Sequence, residues 1–251
     1  MEFNLSKKML AELVGTFLLV FFGTGSAVGA AWLVHQYIPT GSIGALGGFS
    51  EWLAVSLGFG ITAIAVIYVF AKVSGANINP AVTIGLLVTK NLSLKDSCGY
   101  IIAQFIGAII ASLCVLVIFG VDIGAGIGSL GANAPSTGIS YWQAFFAELI
   151  GTFFLVLVVM GVAIDKKADP GVAGLSIGLT IGIALTFLGP LTGGCINPAR
   201  GLSPYLISFL VGNPSNLLWS NYTIFLIAPI VGGIIAALLY DYIANPNVVE
   251  A

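Results

Sequence analysis

Two asparagines, Asn79 and Asn197, each open the tripeptide Asn-Pro-Ala, the first within SGANINPAVT and the second within TGGCINPARG. Residue type and spacing suit a helix start. Asparagine is a favoured N-cap, its side-chain oxygen accepting a backbone N–H. Proline suits the first helical position because the N–H it lacks would have no partner there. The apolar stretches that follow Asn79-Pro80-Ala81 and Asn197-Pro198-Ala199, at 82–88 and 201–210, are too short to cross a bilayer, which takes about 20 residues. With its oxygen turned to its own helix, each asparagine keeps its amide donors for a passing solute. Behind each stands the positive end of a helix dipole, equivalent to about half a charge. Two such sites face to face would hold a water oxygen, repel cations and turn the protons of that water outward along a pore, interrupting a proton wire. Paired, interrupted hydrophobic segments are also the sequence pattern of a transport site at mid-membrane.

Arg200 is the only arginine in the chain and comes three residues after Asn197. An arginine at a membrane edge often snorkels to the interface. Beside a helix start, this one is instead expected to face the pore, giving donors to neutral solutes and a barrier to cations. Glu12 and Glu148 lie in Ala-Glu-Leu-Val-Gly-Thr-Phe (11–17) and Ala-Glu-Leu-Ile-Gly-Thr-Phe (147–153), identical at six of seven positions. Ionisable groups inside a membrane need an account. A lone glutamate there suits a proton relay. A symmetric pair suits acceptance of hydrogen bonds from non-helical backbone, which must find partners within the protein at membrane depth. Cys98, Cys114, Cys195 and the lone His35 have no metal-ligand or disulfide spacing, so no metal or cofactor is expected.

The elements that position these residues follow from composition. The chain has 251 residues, 58% hydrophobic and 7% charged, whereas soluble domains carry about 25% charged residues. It reads as an all-α integral membrane protein, and a net charge of −2 argues against a nucleic-acid partner. Six segments are long enough to span, at about 9–34, 51–71, 97–119, 141–164, 171–191 and 221–244. The heptapeptide opens the first and fourth, and Ala103-Gln104-Phe105-Ile106-Gly107-Ala108 in the third is echoed by Ala228-Pro229-Ile230-Val231-Gly232-Gly233 in the sixth. The chain, 1–251, is therefore one channel domain made of two repeats, about 8–119 and 141–243, each with three spanning helices and one half-helix. An odd number of crossings inverts the second repeat relative to the first. All seven lysines (Lys7, Lys8, Lys72, Lys90, Lys95, Lys166 and Lys167) fall on one side of this arrangement, which makes both termini cytoplasmic. The loops at 35–50 and 120–140 are glycine-rich and outside. Gly174, Gly178 and Gly182 recur at a spacing that permits close helix approach.

The doubled Asn-Pro-Ala, the arginine after the second copy and the repeated Ala-Glu-x-x-Gly-Thr-Phe resemble the aquaporin, or major intrinsic protein, family over about residues 8–243. An aliphatic residue in the filter is similar to its archaeal members. The resemblance implies a right-handed bundle of six helices with two half-helices. It also implies a homotetramer in the cell membrane with one pore per subunit, and passive conduction of water or small neutral solutes. The family's outer constriction maps onto Phe59, Leu185, Gly194 and Arg200. Leu185 stands where orthodox water channels usually carry histidine, and Gly201 where glycerol facilitators usually carry aspartate. A constriction wider and less polar than the histidine type is expected, conducting water with some tolerance for other small neutral molecules. Asn77 replaces a common histidine, and Cys195 is one position off the cysteine of mercury-sensitive channels. Other readings are a wider facilitator for glycerol or dissolved gases, a secondary active transporter and a structural membrane protein. A transporter needs intramembrane ionisable groups for its coupling ion, and Glu12, Glu148 and Arg200 already have other tasks. The short loops offer a structural partner little to bind. No nucleophile–base pair points to an enzyme.

Overall fold

Among the described residues, chain directions alternate through six helices long and apolar enough to cross a membrane, with two short helices set between them. The computed structural model describes residues 3–244. The extreme ends of the chain, assigned to the cytoplasm by the lysine pattern, lie outside that range. The long helices are α1 (Leu5–Tyr37), α2 (Phe49–Ser74), α4 (Leu94–Gly120), α5 (Tyr141–Val159), α6 (Pro170–Thr192) and α8 (Trp219–Ala244), and the short ones are α3 (Pro80–Val88) and α7 (Pro198–Leu210). Five of the expected spans fall within long helices that overrun them at one or both ends, and the fourth, 141–164, is covered by α5 together with a π-helical stretch, Met160–Ile164, that continues it. Polar caps mark several of the starts. Asn4, Ser93, Ser140 and Asp169 accept first-turn backbone N–H groups of α1, α4, α5 and α6, satisfying donors that a helix start leaves open.

The glycine-rich segment 120–140 departs from a plain external loop. After α4 the chain continues as a π-helical stretch, Val121–Ile127, then a tight turn at Ser129–Gly131. Leu130 and Asn133 are fully buried. An apolar leucine and an amide with partners inside outweigh the flexibility that the glycines give the segment.

Within each half, the first and third long helices pack together: α1 on α4 and α5 on α8. The two halves join mainly along α2 and α6. The first two contacts are the same crossing made twice. Gly107 of α4 lies on the backbone carbonyl of Leu13, and Gly232 of α8 on that of Leu149. A Cβ at either glycine would overlap the carbonyl oxygen, so the helices approach backbone to backbone. Polar ties fix the ends. Lys8 Nζ bridges to Asp96 at 3.1 Å, joining the starts of α1 and α4. The Tyr68 hydroxyl donates to the Gly171 carbonyl at 2.9 Å, joining the end of α2 to the start of α6. The Tyr240 hydroxyl donates to Asp165 at 2.7 Å. The Lys167 backbone N–H, and then Tyr240, hold the Asp165 carboxyl below its ordinary value. This end of the bundle carries the lysines. All four tryptophans, Trp32, Trp52, Trp142 and Trp219, lie near helix ends at the opposite side, as in an interfacial aromatic belt.

Because the two glycine crossings have the same geometry, Gly107→Val and Gly232→Val are expected to be matched lesions. Each should lower stability in detergent by about 1–3 kcal/mol, the usual effect of overpacking a tight contact. Thermal melting of the purified variants checks this, and a loss at one site only would show that the halves pack differently.

Candidate functional site

Two loops, 75–79 and 193–197, buried beyond their first glycine, carry the half-helices into the middle of the bundle. Their backbone is not helical. Gly75, Ala76 and Ile78 have φ of 90°, 50° and 45°, and Gly193, Gly194 and Ile196 have 80°, 63° and 47°. Such a segment leaves N–H groups without intrahelical partners, and buried backbone donors must be satisfied. Two carboxylates do this. Glu12 accepts from the backbone N–H of Asn77 (2.8 Å) and Ile78 (2.6 Å), from Ser74 Oγ (2.7 Å) and from Gln104 Nε2 (2.8 Å). Glu148 accepts from the N–H of Cys195 (2.9 Å) and Ile196 (2.8 Å) and from Thr192 Oγ1 (2.6 Å). Both side chains are fully buried. The isoleucines of the loops are seated in the heptapeptides: Ile78 lies where a Cβ of Gly15 would be, and Ile196 packs likewise on Gly151.

Asn79 Oδ1 accepts the Ala81 N–H at 2.9 Å, and Asn197 Oδ1 accepts those of Ala199 (3.1 Å) and Arg200 (3.3 Å). The amide donors differ from the sequence expectation, which left them all for a solute. Asn79 Nδ2 donates to the Ile196 carbonyl at 2.8 Å, and Asn197 Nδ2 to the Ile78 carbonyl at 2.9 Å. Those carbonyls lie in the same irregular backbone and need a donor of their own. Since an amide nitrogen carries two N–H groups, one per asparagine is used in this crossed pair and one is left. Pro80 and Pro198 occupy the first turn of their helices, and Ala81 and Ala199 are fully buried.

A cavity of about 420 Å³ reaches from Tyr68, Lys72 and Asn91 at the lysine end, past Asn79 and Asn197, to Phe59, Leu185 and Arg200. Asn77 lines it and donates to Thr83 Oγ1 at 3.3 Å. One wall is loop and asparagine. Much of the rest is aliphatic, including Leu19, Ile67, Leu155 and Ile181. At the far end Arg200 Cζ sits 5.2 Å from the centroid of the Phe59 ring. Gly194 abuts Leu185, whose Cγ would be 3.0 Å from a Cβ on the glycine. The four residues named from the sequence thus form two contacting pairs, with Phe59, Leu185 and Arg200 lining the cavity and Gly194 behind Leu185. A side chain at Gly194 would press on Leu185. The Cys195 thiol is turned into the cluster of Ala144, Ile224 and Phe225.

One residue of the site was missed in the sequence. Arg200 Nη1 donates to Asn133 Oδ1. Asn133 itself is held from several sides: its Nδ2 donates to the Thr192 carbonyl at 3.3 Å, and its own carbonyl accepts from Tyr205 OH at 2.6 Å. The N–H groups of Ala134 and Ser136 donate to Thr192 and Leu191, pinning the loop to the end of α6. The available signal was indirect. A buried guanidinium needs acceptors, and neither Asn-Pro-Ala segment supplies one. Asn133→Ala is expected to leave that donor unsatisfied, lowering stability by about 1–3 kcal/mol and loosening Arg200. Melting in detergent and proton leak into vesicles together check it, and unchanged values in both would release Arg200 from this anchor.

The sequence profile of the major intrinsic protein family matches residues 1–240. The chain is 47% identical to the "Probable aquaporin AqpM" of Archaeoglobus fulgidus, over 98% of this chain and all of that one. It is 44% identical to "Aquaporin AqpM" of Methanothermobacter marburgensis, over 96% and 99%. It is 35% identical to "Glycerol uptake facilitator protein-like 6" of Lactiplantibacillus plantarum, over 92% and 95%. The solved aquaglyceroporin of Plasmodium falciparum superposes with a TM-score of 0.78 at 28% identity, covering 99% of this chain and all of that one.

Proposed function

The chain belongs to the major intrinsic protein family, and from that premise we propose that it is a passive, multi-pass membrane channel. It conducts water, and some small neutral solutes, while excluding protons and ions. The observation that carries this reading is the crossed asparagine pair. Asn79 and Asn197 meet inside the cavity at the N-termini of opposed half-helices, each with one amide N–H unspent. A water oxygen there is held by two donors and by the positive ends of two helices, so it cannot relay a proton in either direction. The glutamates are not left for proton coupling, since their oxygens already serve the loops.

Phe59, Leu185, Gly194 and Arg200 form the selective constriction in this reading, with Arg200 supplying donors and the cation barrier. The lysine-bearing end faces the cytoplasm, in keeping with the charge rule for short loops. The subunit assembles as a homotetramer in the cell membrane, as the family resemblance implies. A second reading, a wider facilitator for glycerol or dissolved gases, draws on Leu185 in place of a polar filter residue and on the aliphatic wall of the cavity.

Light scattering of proteoliposomes after an osmotic step tests both. Fast shrinkage with slow glycerol re-entry is expected, comparable rates would favour the facilitator, and no gain over empty vesicles would refute a channel. In the same vesicles Arg200→Val is expected to raise proton leak about tenfold or more, the loss of roughly 1.4 kcal/mol of barrier. An unchanged leak would remove Arg200 from the filter.

A further inference from the structure

Phe59 touches two groups that bear on its position. Arg200 lies over its ring, with Cζ 5.2 Å from the centroid. Gly23 of α1 is the second, and the ring occupies the space that a Cβ on Gly23 would fill. The nearest ring atoms would overlap such a carbon outright. An aromatic ring has only two side-chain torsions and no flexible tip to give way. Phe59 is also buried, 3% exposed, and the free space beside it is the cavity that it lines with Arg200. A methyl group at position 23 must therefore displace the ring, and with it one wall of that cavity.

The other half of the chain offers an internal comparison. Carried across by the pairs Gly15/Gly151 and Gly75/Gly193, Gly23 and Phe59 correspond to Val159 and Ile177. Both of these are buried and both line the same cavity. Where the α2-type helix presents a large ring, the α1-type helix presents no side chain. Where it carries the smaller isoleucine, the corresponding position of α5 is valine. The sizes run in opposite directions, as close packing would have it.

We infer that Gly23 is a specificity-determining position: it touches no solute, but by seating Phe59 it sets the width of the constriction. This rests on the reading of the cavity as a water and solute pore. Other glycines of α1 do not share the role. Gly29 has open space around it, with no atom within 4 Å of the point where a Cβ would stand.

The test is a double-mutant cycle on the full-length chain in proteoliposomes, with water, formamide and glycerol as probes. Gly23→Ala is expected to lower the glycerol-to-water and formamide-to-water permeability ratios, the former roughly tenfold, at the low end of what one carbon decides in a tight site. Phe59→Ile, which copies the other half's residue, should raise both. Adding Gly23→Ala to Phe59→Ile should leave the ratios of Phe59→Ile unchanged, because the methyl then has no ring to displace. Gly29→Ala should match the wild type. An equal loss for all three probes, no change, or the same drop in the Phe59→Ile background would each overturn the inference. If Gly23→Ala alone yields no folded protein, the double variant decides: a folded channel with the ratios of Phe59→Ile supports the seat, and failure to fold overturns it. Wild-type vesicles no faster than empty ones would overturn the pore reading itself, and this inference with it.

Discussion

The structure depends on a requirement of backbone chemistry. A chain that dips into the middle of a membrane and turns back exposes N–H groups that neither helix nor water satisfies, and each such group costs several kcal/mol in hydrocarbon. Glu12 and Glu148 meet that requirement. They are placed by α1 and α5 rather than by the loops, so each loop is fixed to a long helix of its own half. The carboxylates can be buried because their oxygens are taken up by donors, three or four groups each. Once the loops are fixed, the half-helices have fixed starting points, and the asparagines that cap them are brought within reach of each other.

The asparagines then close the structure across the two halves. Each caps its own helix with oxygen and gives a hydrogen to the carbonyl of the opposite loop. The crossed pair satisfies two buried carbonyls and fixes the distance between helix ends. It also leaves one amide hydrogen on each side with a defined direction. In the proposed channel, the group that would act on the solute is thus what remains after the structural demand is met. Selectivity and fold share the same four hydrogen-bonding atoms, and a change at either asparagine would disturb both.

Much of this was legible in the sequence because it is written twice. The repeated heptapeptide carried the glutamates, the repeated tripeptide carried the caps, and the order of both gave six spans and two half-helices. Lysine placement gave one end of the bundle a distinct charge. What was not legible depends on residues that meet only in space. The crossed asparagine bonds join segments more than a hundred positions apart. Asn133 stands in a glycine-rich stretch that looks like an outer loop, and only its burial beside Arg200 gives it a role. The contact of Gly194 with Leu185 is of the same kind, since close packing is settled by neighbours and not by a residue's own size.

The places where the two halves differ are as informative as those where they agree. Position for position around the cavity, Arg200 corresponds to Val82, Leu185 to Ile67, Gly194 to Ala76 and Phe59 to Ile177. Those four counterparts all line the cavity, and all are apolar. These four counterparts offer no side-chain donor, while the opposite set has a guanidinium held by Asn133. A duplicated, inverted scaffold would by itself place two equal barriers in series. With valine at the counterpart of the arginine the two sets are unequal, and in the proposed channel Arg200 would be the one charge among these paired positions. The asparagines, identical in both copies, stand between these unlike ends; in the proposed channel that division would fit the two tasks, since orienting a water symmetrically takes two equal donors, whereas excluding a cation takes one charge.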